Sequence, residues 1–455
     1  MRACCLAVQN LLPSKVKNPG QQIQICCLAN PDALPSKFRR AALTKQMCCE
    51  SRINAVLRGM RGAFLTLFLF FLAGCADTPS VSVQFQDEYR IARMSTLRLQ
   101  AATVEQDGRW WLRVGEERDS LLAVGRDLYF VSAREGVYQV RYETGEFQAD
   151  FTVVVVREAI EYSPYIAAVV DYCPAPGQFV NLLPQYEEGD GTEDMRRKAE
   201  RAIAGGANEL VSLGGFGGYL TFRFDHTVVN VPGVADFAIY GNAFDAGSGG
   251  GGMSGASAEP GIVQVAFDYN GNGRPDEDEW YELAGSEHDS PETRAQYSIV
   301  YYRPNADKPR DEAPGYIDRT HIAWRSDAGD AGYLAQLISH EQPYYPQWLP
   351  VDSLRFTGTL LPSNGVDVYG TGNYYVLEPY EWGYADNRPN SDAQGTSFDI
   401  AWAVDKEGRG VSLPGVDFVR VYTGVNQQCG WLGETSTEIS GARDLHIGVA
   451  VQPAQ

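Results

Sequence analysis

Histidine is scarce in this chain, and the shortage removes several classes of chemistry. Five histidines (His226, His288, His321, His340 and His446) stand among 455 residues. None falls in an H-E-x-x-H pattern, which argues against a zincin protease. No G-x-S-x-G nucleophile elbow occurs either. The glycine run 249–252 lacks the Lys-Ser/Thr that completes a phosphate loop, so it reads as a flexible connection between strands. Basic residues are also few, 38 against 58 acidic ones, for a net charge of −20. Nucleic acid and anionic membrane surfaces are therefore poor partners. The apolar run 63–73 is too short to span a bilayer and has the length of a signal-peptide core.

The first 59 residues do not read as sequence selected to fold. CCLA…LPSK occurs at 4–15 and again at 26–37, and a third Cys-Cys pair follows at 48–49, each 22 residues after the last. Three dithiol pairs could suggest a metal site. No histidine or acidic cluster accompanies them, however, and the repeat takes in residues that ligate nothing. A tandem duplication in DNA upstream of the true start explains it better, with 1–59 an upstream extension and Met60 the expected start. Arg61 then flanks the apolar run, and 60–74 reads as a signal peptide. Leu72-Ala73-Gly74-Cys75 resembles the lipobox of bacterial lipoproteins, which implies lipidation of Cys75, membrane contact only through that lipid, and a short tether over 75–80. Without 1–74 the chain carries 28 basic and 56 acidic residues. Of nine cysteines, only Cys173 and Cys429 then remain as structural candidates, either as one disulfide in an oxidising envelope or as two buried thiols.

The rest of the chain reads as all-β. Over 81–157 the segments VSVQF, STLRLQA, RWWLRV, DLYFVSA, GVYQVRYE and FTVVVV are separated by turn residues, which suits an immunoglobulin-like sandwich. Trp110 or Trp111 would be its core tryptophan, and Tyr138 its tyrosine corner. The stretch resembles the PKD-like modules of bacterial surface proteins, which implies a spacer. A larger, jelly-roll-like β-sandwich is expected over 165–455. It carries one helix at 192–204, with Thr192 as the expected cap and Gly205-Gly206 as its end.

Residues 268–279 fit a twelve-residue calcium loop from first position to last. Ligand oxygens would come from Asp268, Asn270, Asn272, the Arg274 carbonyl, Asp276 and a bidentate Glu279, with Gly273 where the turn needs no Cβ. Before it, VQVAFD alternates as a strand does. Pro275 also lacks the donor that paired EF-hand loops use to bridge to each other. A lone structural calcium loop at a strand end follows, not a sensor; the plain alternative is an acidic Asn-Gly turn. A second ion site could draw on Glu434 and Glu438 in 433–438, GETSTE; a polar strand-end turn is the alternative there.

The segments VSLGGFGGYLTF, GVADFAIYGNAF and EPGIVQV resemble a widespread bacterial extracellular β-sandwich motif. More closely, PAPGQFVN, HTVVNVPG, DEWYELAGSE, YYPQW, EWGYADNRPN and VYTGVNQQCGWLGETSTEI resemble the PKD-like-domain surface lipoproteins of gut Bacteroidota. The resemblance runs from Val81 to about Ile447. It implies an outer-membrane lipoprotein exposed at the cell surface. Some family members are encoded beside outer-membrane transporters, corrinoid-uptake ones included, which implies ligand capture. Aromatic residues crowd the later loops, where rings with a polar handle suit a glycan or a corrin macrocycle. The expected ligand site comprises Trp348, Tyr380, Trp382, Tyr384, Asp386 and Asn387. A carbohydrate-active hydrolase would need two carboxylates about 5–10 Å apart across such a cleft, and a purely adhesive role would need no cleft at all.

Overall fold

The structure, a computed structural model, describes residues 85–448 except 102–107, 115–117, 146 and 246–255. The expected leader, signal peptide and tether, Cys75 with its expected lipidation, and the glycine run 249–252 lie outside the described residues. The architecture is an all-β sandwich, with several sheets and, among the described residues, one short α-helix.

Alternation builds the first sheet. In Phe147–Val156 the residues Phe151, Val153 and Val155 point inward while their neighbours stay half-exposed, as a period of two on a half-buried strand requires. This strand lies between Glu88–Ala92, paired parallel, and Gly136–Thr144, paired antiparallel; Arg109–Val114 and Arg118–Val124 complete five strands. A two-stranded ribbon of Leu97–Gln100 and Asp127–Phe130 adds Leu97, Leu99, Leu128 and Phe130 to the same core. Of the two adjacent tryptophans, Trp110 is the core residue. It is fully buried, its ring lies 4.4 Å from that of Tyr142, and its Nε1 donates to the Gly125 carbonyl at 3.1 Å. Gly108 leaves room for this pair, since a Cβ there would stand 2.2 Å from the Tyr142 hydroxyl. Tyr138 donates to the Arg134 carbonyl at 3.0 Å, the corner contact expected of it.

The larger part centres on an antiparallel six-stranded sheet. Its order is Ala403–Val404, Trp280–Leu283, Gly261–Ala266, Phe418–Thr423, Tyr219–Arg223 and Ala168–Cys173. Both faces are covered. Leu220, Phe222, Val263, Val265, Val419 and Val421 face one core, closed by the helix and by the strand Phe237–Tyr240. Tyr219 and Cys173 face a second core beneath a four-stranded sheet formed by Ala331–Leu337, Tyr316–Ser326, Arg294–Tyr302 and Ser353–Leu360. The helix spans Thr192–Ile203 and buries Met195, Ala199, Ala202 and Ile203. Its cap corrects the expectation for Thr192. Gly191 is the N-cap, and the Asp194 carboxylate accepts from the Gly191 N–H at 3.0 Å. The chain then leaves through Gly205 and Gly206 at φ of 63° and 84°, the left-handed region where glycine is unstrained.

The described residues form one compact unit, and the first module docks on the larger one directly at the 268–279 loop. Arg98 donates to the Asp268 carbonyl at 2.6 Å. Tyr129 meets Phe267 and Tyr269 edge-on, with ring centroids 5.6 and 5.0 Å away.

Candidate functional site

The 268–279 loop joins Gly261–Ala266 to Trp280–Leu283, strands paired antiparallel with Ala266 opposite Trp280. It is thus a hairpin connection between strands, not a helix–loop–helix unit. Its turns are made by side chains capturing backbone N–H groups. Asp268 Oδ1 accepts from Gly271 at 2.6 Å and Asn272 at 3.0 Å, while Oδ2 accepts from Gly273 at 2.8 Å. Gly271 and Gly273 take φ of 73° and 74° to permit this. Glu279 closes the far end, with Oε1 accepting from Tyr269 at 2.9 Å and Oε2 from Asp276 at 3.1 Å. The side-chain amides of Asn270 and Asn272 both donate to Asp276 Oδ2.

The loop therefore presents a hard, oxygen-only set: three carboxylates and two amide oxygens, with Asp268 and Glu279 buried at 8% and 5% exposure. That donor set fits calcium. Asp417 supports it from the neighbouring strand. Its Oδ2 accepts from the Asp268 N–H at 2.8 Å and its Oδ1 from Thr227 at 2.6 Å. Burial pushes the Asp417 carboxyl above its ordinary range, and the Asp268 charge adds to that.

The residues expected to line a ligand site are split by the fold. Trp348 is only 5% exposed, stacked with Tyr172 and Tyr186 in the main core. Tyr384 is buried, and its hydroxyl accepts from the Glu287 N–H at 3.0 Å. Asn387 is buried and bridges across its own loop, accepting from the Tyr380 N–H at 2.8 Å and donating to the Tyr380 carbonyl at 2.9 Å. Asp386 is buried too, its carboxylate accepting from the N–H groups of Asn242, Ala243 and Glu438 at 2.7, 2.8 and 2.9 Å.

All four are buried rather than set on an open surface. For Tyr384, Asp386 and Asn387 the physical reason is shared: a polar loop that packs inward must satisfy its own backbone, and these side chains do it; Trp348 instead fills the core with its ring. Tyr380 is half-buried and donates to the Pro362 carbonyl. Trp382 alone of the six is exposed, at 38%, with its ring 4.8 Å from that of Trp402.

A concave site forms elsewhere. A cleft of about 590 Å³ opens between the four-stranded sheet and the 360–363 segment, lined by Glu292, Arg294, Tyr297, Trp324, Asp330 and Asn426 among others. Its aromatic wall depends on a missing side chain. Trp324 stands opposite Gly332 on the adjacent strand, and a Cβ on Gly332 would lie 2.7 Å from the Trp324 ring. The indole therefore lies across its neighbour. Arg294 pairs with Asp330 at 2.7 Å, and the Tyr297 hydroxyl reaches the same carboxylate at 3.5 Å. The cleft combines one broad ring with charged and amide hydrogen-bonding groups, and its size is that of small-molecule sites. Sequence reasoning missed it because Arg294, Trp324 and Asp330 read as ordinary strand and turn residues. The signal was present in HIAWRS, where a tryptophan precedes arginine at a strand end, but only pairing with Gly332 makes it a surface.

Two further features bear on reactivity. Cys173 and Cys429 are free thiols, and burial pushes them up to about 12 and about 11 respectively. Neither is poised as a nucleophile. His226 lies between Asp225 and Asp444, each 2.6 Å from a ring nitrogen, and His446 Nε2 meets Asp236 Oδ1 at 2.8 Å. These buried pairs tie the C-terminal segment to the sandwich.

No protein-family model matches the chain, and no curated protein matches it.

Proposed function

We propose that this protein is a surface-anchored lipoprotein that captures an extracellular saccharide in the Trp324 cleft of a calcium-stabilised β-sandwich. The observation that carries the reading is the cleft itself, whose half-buried indole is flanked by the Arg294–Asp330 pair, Glu292 and Asn426. A sugar ring presents an apolar face to stack on such an indole and hydroxyls for the charged rim. The polar rim favours a saccharide over a corrin macrocycle, the other ligand that the family resemblance implies. In this reading Cys75 carries the lipid at the outer membrane, the PKD-like module is the spacer, and an outer-membrane transporter receives the ligand. Calcium at 268–279 stiffens the joint where the spacer meets the sandwich, since Arg98 and Tyr129 both rest on that loop.

Glu292 and Asp330 also place two carboxylates at the cleft, so a hydrolase is the second reading. Asp330 is tied into an ion pair with Arg294, which suits an acceptor of hydroxyl hydrogen bonds better than a proton donor.

The test is a ligand screen on the protein in calcium buffer, with host and plant oligosaccharides followed by thermal shift and cobalamin by absorbance co-elution. An oligosaccharide that raises the melting temperature of the wild type but not of Trp324→Ala supports the reading. Cobalamin bound at micromolar affinity with no saccharide effect overturns it, and release of reducing ends moves the protein to the hydrolase class.

A further inference from the structure

Behind the 378–390 loop, three carboxylates from three separate segments meet. Glu259 precedes the strand Gly261–Ala266, Asp386 sits in the loop, and Glu438 begins the short strand Glu438–Ile439. One oxygen from each lies within 4.8 Å of the other two. Asp386 and Glu438 are each 3% exposed, while Glu259 is only partly buried.

The hydrogen bonding around the three is uneven. Asp386 accepts from three backbone N–H groups. Glu259 accepts a single N–H, from Ser436 at 3.3 Å. The Oε1 atom of Glu438 is buried and has no hydrogen-bond partner, although the Glu438 and Glu259 carboxyl groups approach each other to hydrogen-bonding range. Among the described residues no lysine, arginine or histidine pairs with any of the three.

A buried carboxylate oxygen without a donor, on a side chain grouped with two other carboxylates, costs several kcal/mol unless a positive charge compensates it. Geometry says what charge would fit. Calcium holds oxygens at about 2.3–2.6 Å, so opposite ligands stand roughly 4.6–5.2 Å apart. Three oxygens within 4.8 Å of one another fall inside that span. The hydroxyls of Ser212 and Ser436, 2.8 Å from each other, lie beside Glu438 and extend the oxygen lining.

We propose that Glu259, Asp386 and Glu438 form a second, buried site for a hard divalent cation of the calcium class, separate from the 268–279 loop. The ion locks three segments distant in sequence: the 378–390 loop, the lead into Gly261–Ala266 and the 433–438 turn. The site does not depend on the loop site, and either can hold calcium without the other.

The experiment counts ions. The protein is stripped with chelator, dialysed against calcium and analysed for bound metal, as wild type, as Asp268→Ala with Glu279→Ala, and as Glu438→Gln. The expected result is two calcium ions per chain in the wild type and one in each variant. Glu438→Gln should also lower the melting temperature in calcium. The proposal is overturned if the Glu438→Gln protein binds as much calcium as the wild type. It is equally overturned if that variant melts higher than the wild type at neutral pH with and without calcium, because an isosteric amide would then be relieving carboxyl groups that share only a proton. If the loop variant fails to fold, the comparison of wild type with Glu438→Gln decides alone. A wild type with one ion that Glu438→Gln removes supports the buried site and rejects the loop.

Discussion

Replacing Asp268 and Glu279 by alanine tests the loop at 268–279, and the structure separates two effects. The first needs no ion. Asp268 accepts three loop N–H groups at 2.6, 3.0 and 2.8 Å, and a hydrogen bond to a charged group contributes about 1.5–3 kcal/mol. The freed N–H groups of a surface loop reach water, so the loss should fall below the sum, at roughly 3–5 kcal/mol. The second effect is linkage. Calcium at a hundredfold excess over its dissociation constant stabilises the folded chain by about 2.7 kcal/mol. For a chain of this size each kcal/mol moves the midpoint by roughly 1–2 °C. Differential scanning fluorimetry in calcium and in chelator should therefore show the double variant melting lower in both buffers. It should also show that the variant has lost about 3–5 °C of the wild type's calcium-dependent shift. A wild type that melts identically in calcium and chelator refutes calcium binding. A double variant that keeps the whole wild-type shift refutes the loop as the place where it happens.

The cleft, the buried acids and the histidine clasp give three further expectations. Gly332→Ala places a Cβ 2.7 Å from the Trp324 ring, so it should abolish saccharide binding in calorimetry while changing the melting point by only a few degrees; binding at wild-type affinity would remove Trp324 from the site. Burial pushes Glu434 up to about 8, far above the ordinary carboxyl value near 4.5. The folded state thus holds a proton that the unfolded state releases, and stability falls as pH rises from about 4.5 to 8. Glu434→Gln should flatten that decline, so its melting temperature gains on the wild type between pH 5 and pH 8; parallel profiles would contradict this. For His226, burial opposes the charge, but the hydrogen bonds its ring donates to Asp444 and Asp225 outweigh it and raise the pKa. Its contribution is full below about pH 6.5 and is lost as pH rises through the raised value. His226→Gln should consequently cost more at pH 5.5 than at pH 9, as read from denaturant midpoints; an equal cost at both would place the group's charge outside the stability balance.

Much of the fold was legible because strands of this kind announce themselves locally. FTVVVV and GVYQVRYE alternate, and both became long strands with every second residue inward. TEDMRRKAERAI places its acids in the first turn and is followed by Gly205-Gly206, and it became the helix, though Gly191 with Asp194 supplied the cap instead of Thr192. The strand before the acidic loop was readable from VQVAFD, so the place of 268–279 at a strand end followed from sequence, while its hairpin closure by Trp280–Leu283 came only with the fold.

The burial of these aromatic and polar residues was not legible for a definite reason. Composition says that Trp348, Tyr384, Asp386 and Asn387 are aromatic or polar; it does not say which way a loop folds. All four turn inward, where the sandwich needs rings to fill space and polar groups to satisfy buried backbone.

The sequence by itself determined the β pattern, the acidic balance and the twelve-position oxygen spacing of the loop, because each depends on residues close together along the chain. Tertiary structure alone decided which aromatics face solvent, which of two tryptophans fills the first core, and that Trp324 lies across Gly332 to wall a cleft. It alone brought Glu259, Asp386 and Glu438 together from segments more than a hundred residues apart in their extremes. Such sites depend on sheet register and long-range packing, where one residue's shift reverses every side chain, and no local pattern carries that information.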